Sequence, residues 1–206
     1  MTGHSEGNPI VFVVDDEADV RGGLRDLFAS VGLRSAVFSS TAEFLRSKPF
    51  DEVGCLILDV RLPGLGGLDF QAELTAAKIN IPIIFITGHG DIPMTVRALK
   101  AGAIEFLTKP FRDQDILDAV KIAVERDRVR RNIDGKTHDL HLQFEALSPR
   151  EKRVMALVTA GLMNKQIAAE IGVSEVTVKV HRHNVMKKLG ARSLAELVRM
   201  ADALGV

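Results

Sequence analysis

"CLILDVRLPG", Cys55 to Gly64, decides how the rest of the chain is read. Four apolar residues, Cys55 to Leu58, have the length and character of a buried strand. The run ends in Asp59, and Pro63 and Gly64 then break the chain. An ionised carboxylate buried without partners is costly. Two readings stay open on this stretch alone: Asp59 marks the strand's exit into water, or it is held there for chemistry.

Working outward, the first part alternates strand and helix signals. "IVFVV" (Ile10 to Val14) is a short β-branched run of the kind buried parallel strands use. Val20, Leu24, Leu27, Phe28 and Val31 then share a helix face that stops at Gly32. "RSAVF" (Arg34 to Phe38) is a weaker strand, and Ser40 with Glu43 forms a capping-box pattern that opens a short helix. "PIIFIT" (Pro82 to Thr87) is a fourth strand and "IEFL" (Ile104 to Leu107) a fifth, closed by Lys109-Pro110. Helices fit near Leu68 to Ala77 and Pro93 to Ala101, and a longer one begins near Asp113. Strands interleaved with helices imply a parallel sheet covered on both faces.

The length of 206 residues allows one large domain or two small ones. Charge favours two. Residues 1–124 carry 17 acidic and 12 basic groups, a net of −5, whereas residues 144–206 carry 6 and 10, a net of +4. Between them, "VERDRVRRNIDGKTHDLHLQ" (Val124 to Gln143) reads as a helix end running into a linker, interrupted at Gly135. The expected division is 9–124, a helical linker over 125–143, and 144–206. No apolar run approaches the roughly 20 residues that span a bilayer, and "MTGHSEGNP" lacks the pattern of a signal peptide. Cys55 is the only cysteine, so no internal disulfide forms and a cytoplasmic location is expected.

The last part is all helix. Ser148, Pro149 and Glu151 open a helix with Val154, Leu157 and Val158 as its apolar stripe. "NKQIAAEI" (Asn164 to Ile171) closes at Gly172, Ser174 caps "EVTVKVHRHNVMKKL", and Ser193 with Glu196 opens a final helix. Two helices joined by a short turn at Gly172 and Val173 form a helix-turn-helix pattern. On the longer one, Val178, Val185 and Leu189 share the inward face, and Lys179, Val180, His183 and Lys187 share another that suits a major groove.

Parallel sheets place ligand sites beyond the carboxyl ends of their strands. Asp15 and Asp16 follow the first strand, Asp59 ends the third, Thr87 the fourth, and Lys109 lies just past the fifth. Clustered carboxylates repel and need a cation, and oxygen ligands suit Mg²⁺. A carboxylate also serves as a nucleophile towards phosphorus, with Lys109 as a point charge and Thr87 as a hydrogen-bond donor for phosphoryl oxygens. Proline after Lys109 fixes the loop and admits a cis bond.

"VVDDE", "LILDVRLPG", "ITGHGD" and "FLTKPF" at this spacing resemble the receiver domain of two-component response regulators, over about Pro9 to Val124. The resemblance implies a flavodoxin-like sheet of order 2-1-3-4-5. It also implies Asp59 as phosphoacceptor, and Asp15, Asp16, Asp59 and the backbone carbonyl of Arg61 at Mg²⁺. Thr87 and Lys109 carry over as the pair that senses the phosphoryl group, and Phe106 as a switch aromatic. "LSPRE", "GLMNKQIA" and "VTVKVHRHNVMKKL" resemble the LuxR/FixJ-type DNA-binding domain, a small all-α unit. That resemblance implies base reading by Lys179, Val180 and His183, with Lys165 and Thr177 nearer phosphates, and Arg182 and Lys188 are expected to add phosphate contacts. The whole chain is similar to FixJ/NarL-class regulators. The class implies a sensor histidine kinase as donor, dimerisation through a face around Val96 and Lys100, and promoter DNA as partner. A rival reading, an aspartate-nucleophile phosphatase, requires Asp-x-Asp after the first strand, where this chain has adjacent Asp15 and Asp16.

Overall fold

Residue parity along the strands builds the first core. In the computed structural model, which describes residues 8–47 and 52–206, the strands are β1 (Ile10–Val14), β2 (Arg34–Phe38), β3 (Gly54–Asp59), β4 (Ile83–Thr87) and β5 (Glu105–Thr108). Successive side chains of a strand point to opposite faces. Ile10, Phe12, Leu56, Leu58, Ile83 and Phe85 therefore face one side, in a core with Phe44, Phe70 and Leu74. Val11, Val13, Cys55, Ile57, Ile84 and Ile86 face the other, with Leu24, Phe28, Ile116 and Val120. Helices α1 (Ala18–Ser30), α2 (Thr41–Ser47), α3 (Gly67–Ala76), α4 (Ile92–Lys100) and α5 (Asp113–Glu145) alternate with the strands. Every strand pairing is parallel and the order is β2-β1-β3-β4-β5. The described residues divide into two compact units, one up to Arg131 and one from Asn132. "MTGHSEG", read above for a signal sequence, lies outside the described residues.

Two details differ from the sequence expectation. Val31 stands at the C-cap of α1 and is half exposed, because the helix ends one residue before it. Gly135 does not interrupt α5, which runs unbroken from Asp113 to Glu145. A glycine inside a helix costs only about 1 kcal/mol relative to alanine. Packing on either side of it outweighs that: Ala123 and Val124 lie in the sheet unit's core, Leu140 and Phe144 against the helical unit's core.

A buried ion cluster anchors α5 to the sheet. The Asp127 side chain is fully buried, accepting from the Gly54 N–H at 3.1 Å, from Arg131 Nε at 2.7 Å and from Arg130 Nη2 at 2.6 Å. Gly54 is required there: a Cβ at this position would sit 2.1 Å from the Ile10 carbonyl oxygen. The Asp127→Ala variant leaves that N–H without an acceptor. We expect it to lose about 1–3 kcal/mol of stability, read from the denaturant midpoint, with a smaller loss for Arg131→Ala.

The second unit packs α6 (Pro149–Thr159), α7 (Asn164–Ile171), α8 (Glu175–Leu189) and α9 (Leu194–Leu204) around Val154, Met155, Ile167, Val178, Val185, Leu189 and Leu197. Ser148 and Glu151 close the expected capping box: Ser148 Oγ accepts from the Glu151 N–H, and Glu151 Oε2 accepts from the Ser148 N–H at 2.8 Å. Lys188 Nζ, reaching from α8, donates to the same Glu151 oxygen at 2.7 Å. Those donors, Lys188 foremost, hold the Glu151 carboxyl at about 2, below its ordinary 4.5. A carboxyl depressed in the fold stabilises it fully above the ordinary value and loses that contribution as pH falls through the folded value. The melting-temperature gap between the wild type and Glu151→Gln should therefore be widest above pH 5 and close towards pH 2, as calorimetry on the full chain can check.

Candidate functional site

The strand register brings the candidate side chains to one edge. Asp15 follows β1, Asp59 is the last residue of β3, Thr87 the last of β4, and Lys109 follows β5. Asp59 lies opposite Ile86, and Thr87 opposite Thr108. Lys109 Nζ sits among carboxylates, donating to Asp15 Oδ2 at 2.7 Å, Asp59 Oδ2 at 3.0 Å and Glu17 Oε1 at 3.1 Å. Asp15 is fully buried and Asp59 is 4% exposed. Burial pushes the Asp15 carboxyl above the usual aspartate range, and its hydrogen bonds to Lys109 and the Glu17 N–H offset only part of that. For Lys109, burial alone would lower the value. The bonds to Asp15, Asp59 and Glu17 outweigh it, so the ammonium is held above the ordinary lysine value.

Asp59 Oδ1 accepts from the Arg61 N–H at 3.0 Å, leaving Oδ2 to Lys109. The chain after Asp59 is held close by Gly67, where a Cβ would lie 2.3 Å from the Asp59 carbonyl oxygen. Arg61 itself is exposed. The carboxylates of Asp15, Glu17 and Asp59 offer oxygens all within 4.8 Å of one another. That donor set is all hard oxygen and fits Mg²⁺. Asp16 is exposed and is not part of this cluster, and Glu17 joins it instead. Glu17 is not at a strand end, and it reaches the cluster because the loop after β1 folds back on Asp15, which spacing in "VVDDE" does not disclose.

Thr87 is fully buried, with its hydroxyl oxygen 3.3 Å from the His89 N–H and 3.4 Å from the His89 carbonyl. Phe106 is buried too, its ring 6.2 Å from that of Phe85. Gly90 makes room for both: a Cβ there would meet Phe106 Cε1 at 2.9 Å and Thr87 Cγ2 at 3.3 Å. Lys109-Pro110 is cis. On α4, Val96 is 43% exposed and Lys100 is also exposed.

In the helical unit, Gly172 ends α7 in the left-handed conformation, φ 68°, and turns the chain towards α8. Val178, Val185 and Leu189 are buried, while Lys179, Val180, His183 and Lys187 are exposed, as the face pattern requires. Lys165 is exposed at the start of α7. Thr177 stays local, its N–H donating to Ser174 Oγ at 3.1 Å. Arg182 is tied down, its Nη1 donating to Asn164 Oδ1 at 2.5 Å. Lys188 is likewise engaged inside the unit by Glu151.

The acidic pocket belongs to a receiver and the turn between α7 and α8 to a DNA-binding domain. Residues 11–121 match the response regulator receiver domain family, and residues 145–201 match the bacterial regulatory proteins of the luxR family. Nodulation protein W of Bradyrhizobium diazoefficiens is 59% identical over 99% of this chain and 91% of its own length. Transcriptional regulatory protein FixJ of Rhizobium meliloti is 43% identical, over 95% of this chain and 96% of its own. The solved structure of response regulator StyR superposes with a TM-score of 0.85 at 51% identity, covering 95% of this chain and 98% of that one. The chain belongs to the two-component response regulators that join a receiver to a LuxR-type DNA-binding domain; it is a transcription regulator of the FixJ kind and not an enzyme. Receiver domains bind Mg²⁺ in an acidic pocket, here the Asp15, Glu17 and Asp59 cluster.

Lys109→Ala removes the cation shared by those carboxylates. Without Mg²⁺ its melting temperature should fall on the order of 5 °C. Added Mg²⁺ should raise it by more than it raises the wild type, which calorimetry with and without chelator will show.

Proposed function

We propose that Asp59 accepts a phosphoryl group from a sensor histidine kinase and that this modification drives dimerisation and promoter binding. The observation that carries the reading is the Asp59 carboxylate, nearly buried at a strand end and held between the Lys109 ammonium and the Arg61 N–H. A rigid sheet presents the nucleophile in one orientation. Asp59 attacks phosphorus, the bond from phosphorus to the kinase's histidine nitrogen breaks, and that nitrogen keeps the electron pair. When bound, Mg²⁺ neutralises charge on the phosphoryl oxygens. Asp15, Glu17 and Asp59 would supply side-chain oxygens to it; in the proposed set the Arg61 carbonyl adds a further one, and Asp16 joins only by turning in from its exposed position.

Lys109 then exchanges a carboxylate partner for a phosphoryl oxygen, and the Thr87 hydroxyl leaves His89 to donate to another. Thr87 and Phe106 both line the space at Gly90, so a shift of one disturbs the packing of the other. That movement alters α4, whose exposed Val96, Leu99 and Lys100 form the face offered to a second copy. Phosphorylation only has to bias an existing equilibrium.

In this reading residues 9–124 form the receiver, 125–143 a helical linker and 144–206 the DNA-binding domain. The family matches to 11–121 and 145–201 support it. Lys179, Val180 and His183 read bases, Lys165, Thr177 and Arg182 lie nearer the phosphates, and Lys187 extends the basic face. Arg182 must release Asn164 to take that role. A cytoplasmic location follows from a kinase donor and a DNA target, and no helix among the described residues is long and apolar enough to cross a membrane.

Light scattering on a sizing column tests the switch. With Mg²⁺ and beryllium fluoride the molar mass should double, and Asp59→Ala should stay monomeric under the same conditions. A mass that does not change with fluoride bound, or that doubles equally in Asp59→Ala, would overturn dimerisation as the output.

A further inference from the structure

The exposed stripe on α8 extends one turn further towards its N-terminus than the face legible from sequence. Residues three and four apart share a helix face, so the series Lys179, Val180, His183 and Lys187 continues back to Val176. Val176 is 69% exposed and Val180 is 53% exposed. The opposite face, Val178, Val185 and Leu189, carries the packing, so burial does not account for either outward valine. Val176 lies in the first turn, behind the Ser174 cap, and the N-terminal residues of a helix-turn-helix recognition helix are the ones that contact base edges. Its immediate polar neighbour, Thr177, is occupied with Ser174 through both its N–H and its hydroxyl.

An apolar side chain in the major groove has one specific partner, the C5-methyl group of thymine. We propose that Val176 is a specificity-determining residue that recognises a thymine methyl, and that with Val180 it forms an apolar pair requiring thymines at two neighbouring positions of each half-site. This rests on the assignment of α8 to the major groove made above. Polar readout by Lys179 and His183 lies beside the pair on the same face, so the half-site combines thymine steps with acceptor-bearing bases.

The test begins with selection of a binding site from random-sequence duplex DNA, using the full chain with Mg²⁺ and beryllium fluoride. Each thymine of the selected site is then replaced by uracil, which pairs identically and lacks only the methyl group. Burial of one methyl is worth about a fourfold change in affinity, so wild type should lose about three- to fivefold at two thymines per half-site. Val176→Ala should bind the unmodified site about fourfold more weakly and become indifferent to uracil at one of those positions only. Val176 is exposed and alanine favours helix, so the variant should fold normally, as its melting temperature will confirm. Uracil without effect in wild type, or Val176→Ala retaining full sensitivity at both thymines, overturns the proposal while leaving groove binding intact. If no sequence is enriched, or Lys179→Ala binds the selected site as tightly as wild type, the groove assignment itself fails and the role of Val176 with it.

Discussion

The receiver's chemistry depends on one ammonium group placed among carboxylates. Asp15 is fully buried and Asp59 nearly so, and like charges this close are tolerable only with a cation between them. Lys109 supplies it, at 2.7 Å and 3.0 Å. The remaining design follows from that constraint. The lysine has to lie on the loop after β5, whose strand reaches the site through β4, and the parallel register keeps all strand ends on one edge. Because Lys109 contributes a point charge and not a fixed fork, its partners are exchangeable, which suits a pocket whose occupancy changes.

The same chain uses buried charge in a second way, as a structural anchor. Asp127 fastens α5 to the first residue of β3, and Glu151 fastens the start of α6 to Lys188 on α8. Neither carboxylate lies in the acidic pocket. The contrast is in how the cation is shared: Asp127 accepts from both Arg130 and Arg131 and Glu151 from Lys188, whereas Asp15, Glu17 and Asp59 all draw on the ammonium of Lys109. Three carboxylates around one ammonium leave negative charge in excess, which fits a pocket that takes up a further cation.

Much of this was legible without coordinates. The five strands follow from apolar runs, and the cap residues Ser148, Ser174 and Ser193 each accept the N–H that the helix-start pattern assigns them. The convergence of Asp15, Asp59 and Lys109 was readable because parallel topology sends all strand ends to one edge. Glu17 was not, since its position depends on how the loop after β1 folds back, with the Glu17 N–H on Asp15 Oδ1 at 2.8 Å. Gly67 and Gly90 were equally silent. A glycine required for close approach looks no different in sequence from one at an ordinary turn, and only the neighbouring backbone or ring decides.

By itself, then, the sequence determined the periodicities, the caps, the charge division between the two parts and the identity of the groups at the strand ends, because these depend on local spacing and connectivity. Tertiary structure alone decided which charges are spent inside the fold. Arg182 and Lys188 look as free as Lys179 and His183 in the sequence, yet they are bonded to Asn164 and Glu151, residues 18 and 37 positions away. It also decided that α5 continues through Gly135, since contacts distant in the chain, gathered at either side of that residue, outweigh a local preference of about 1 kcal/mol.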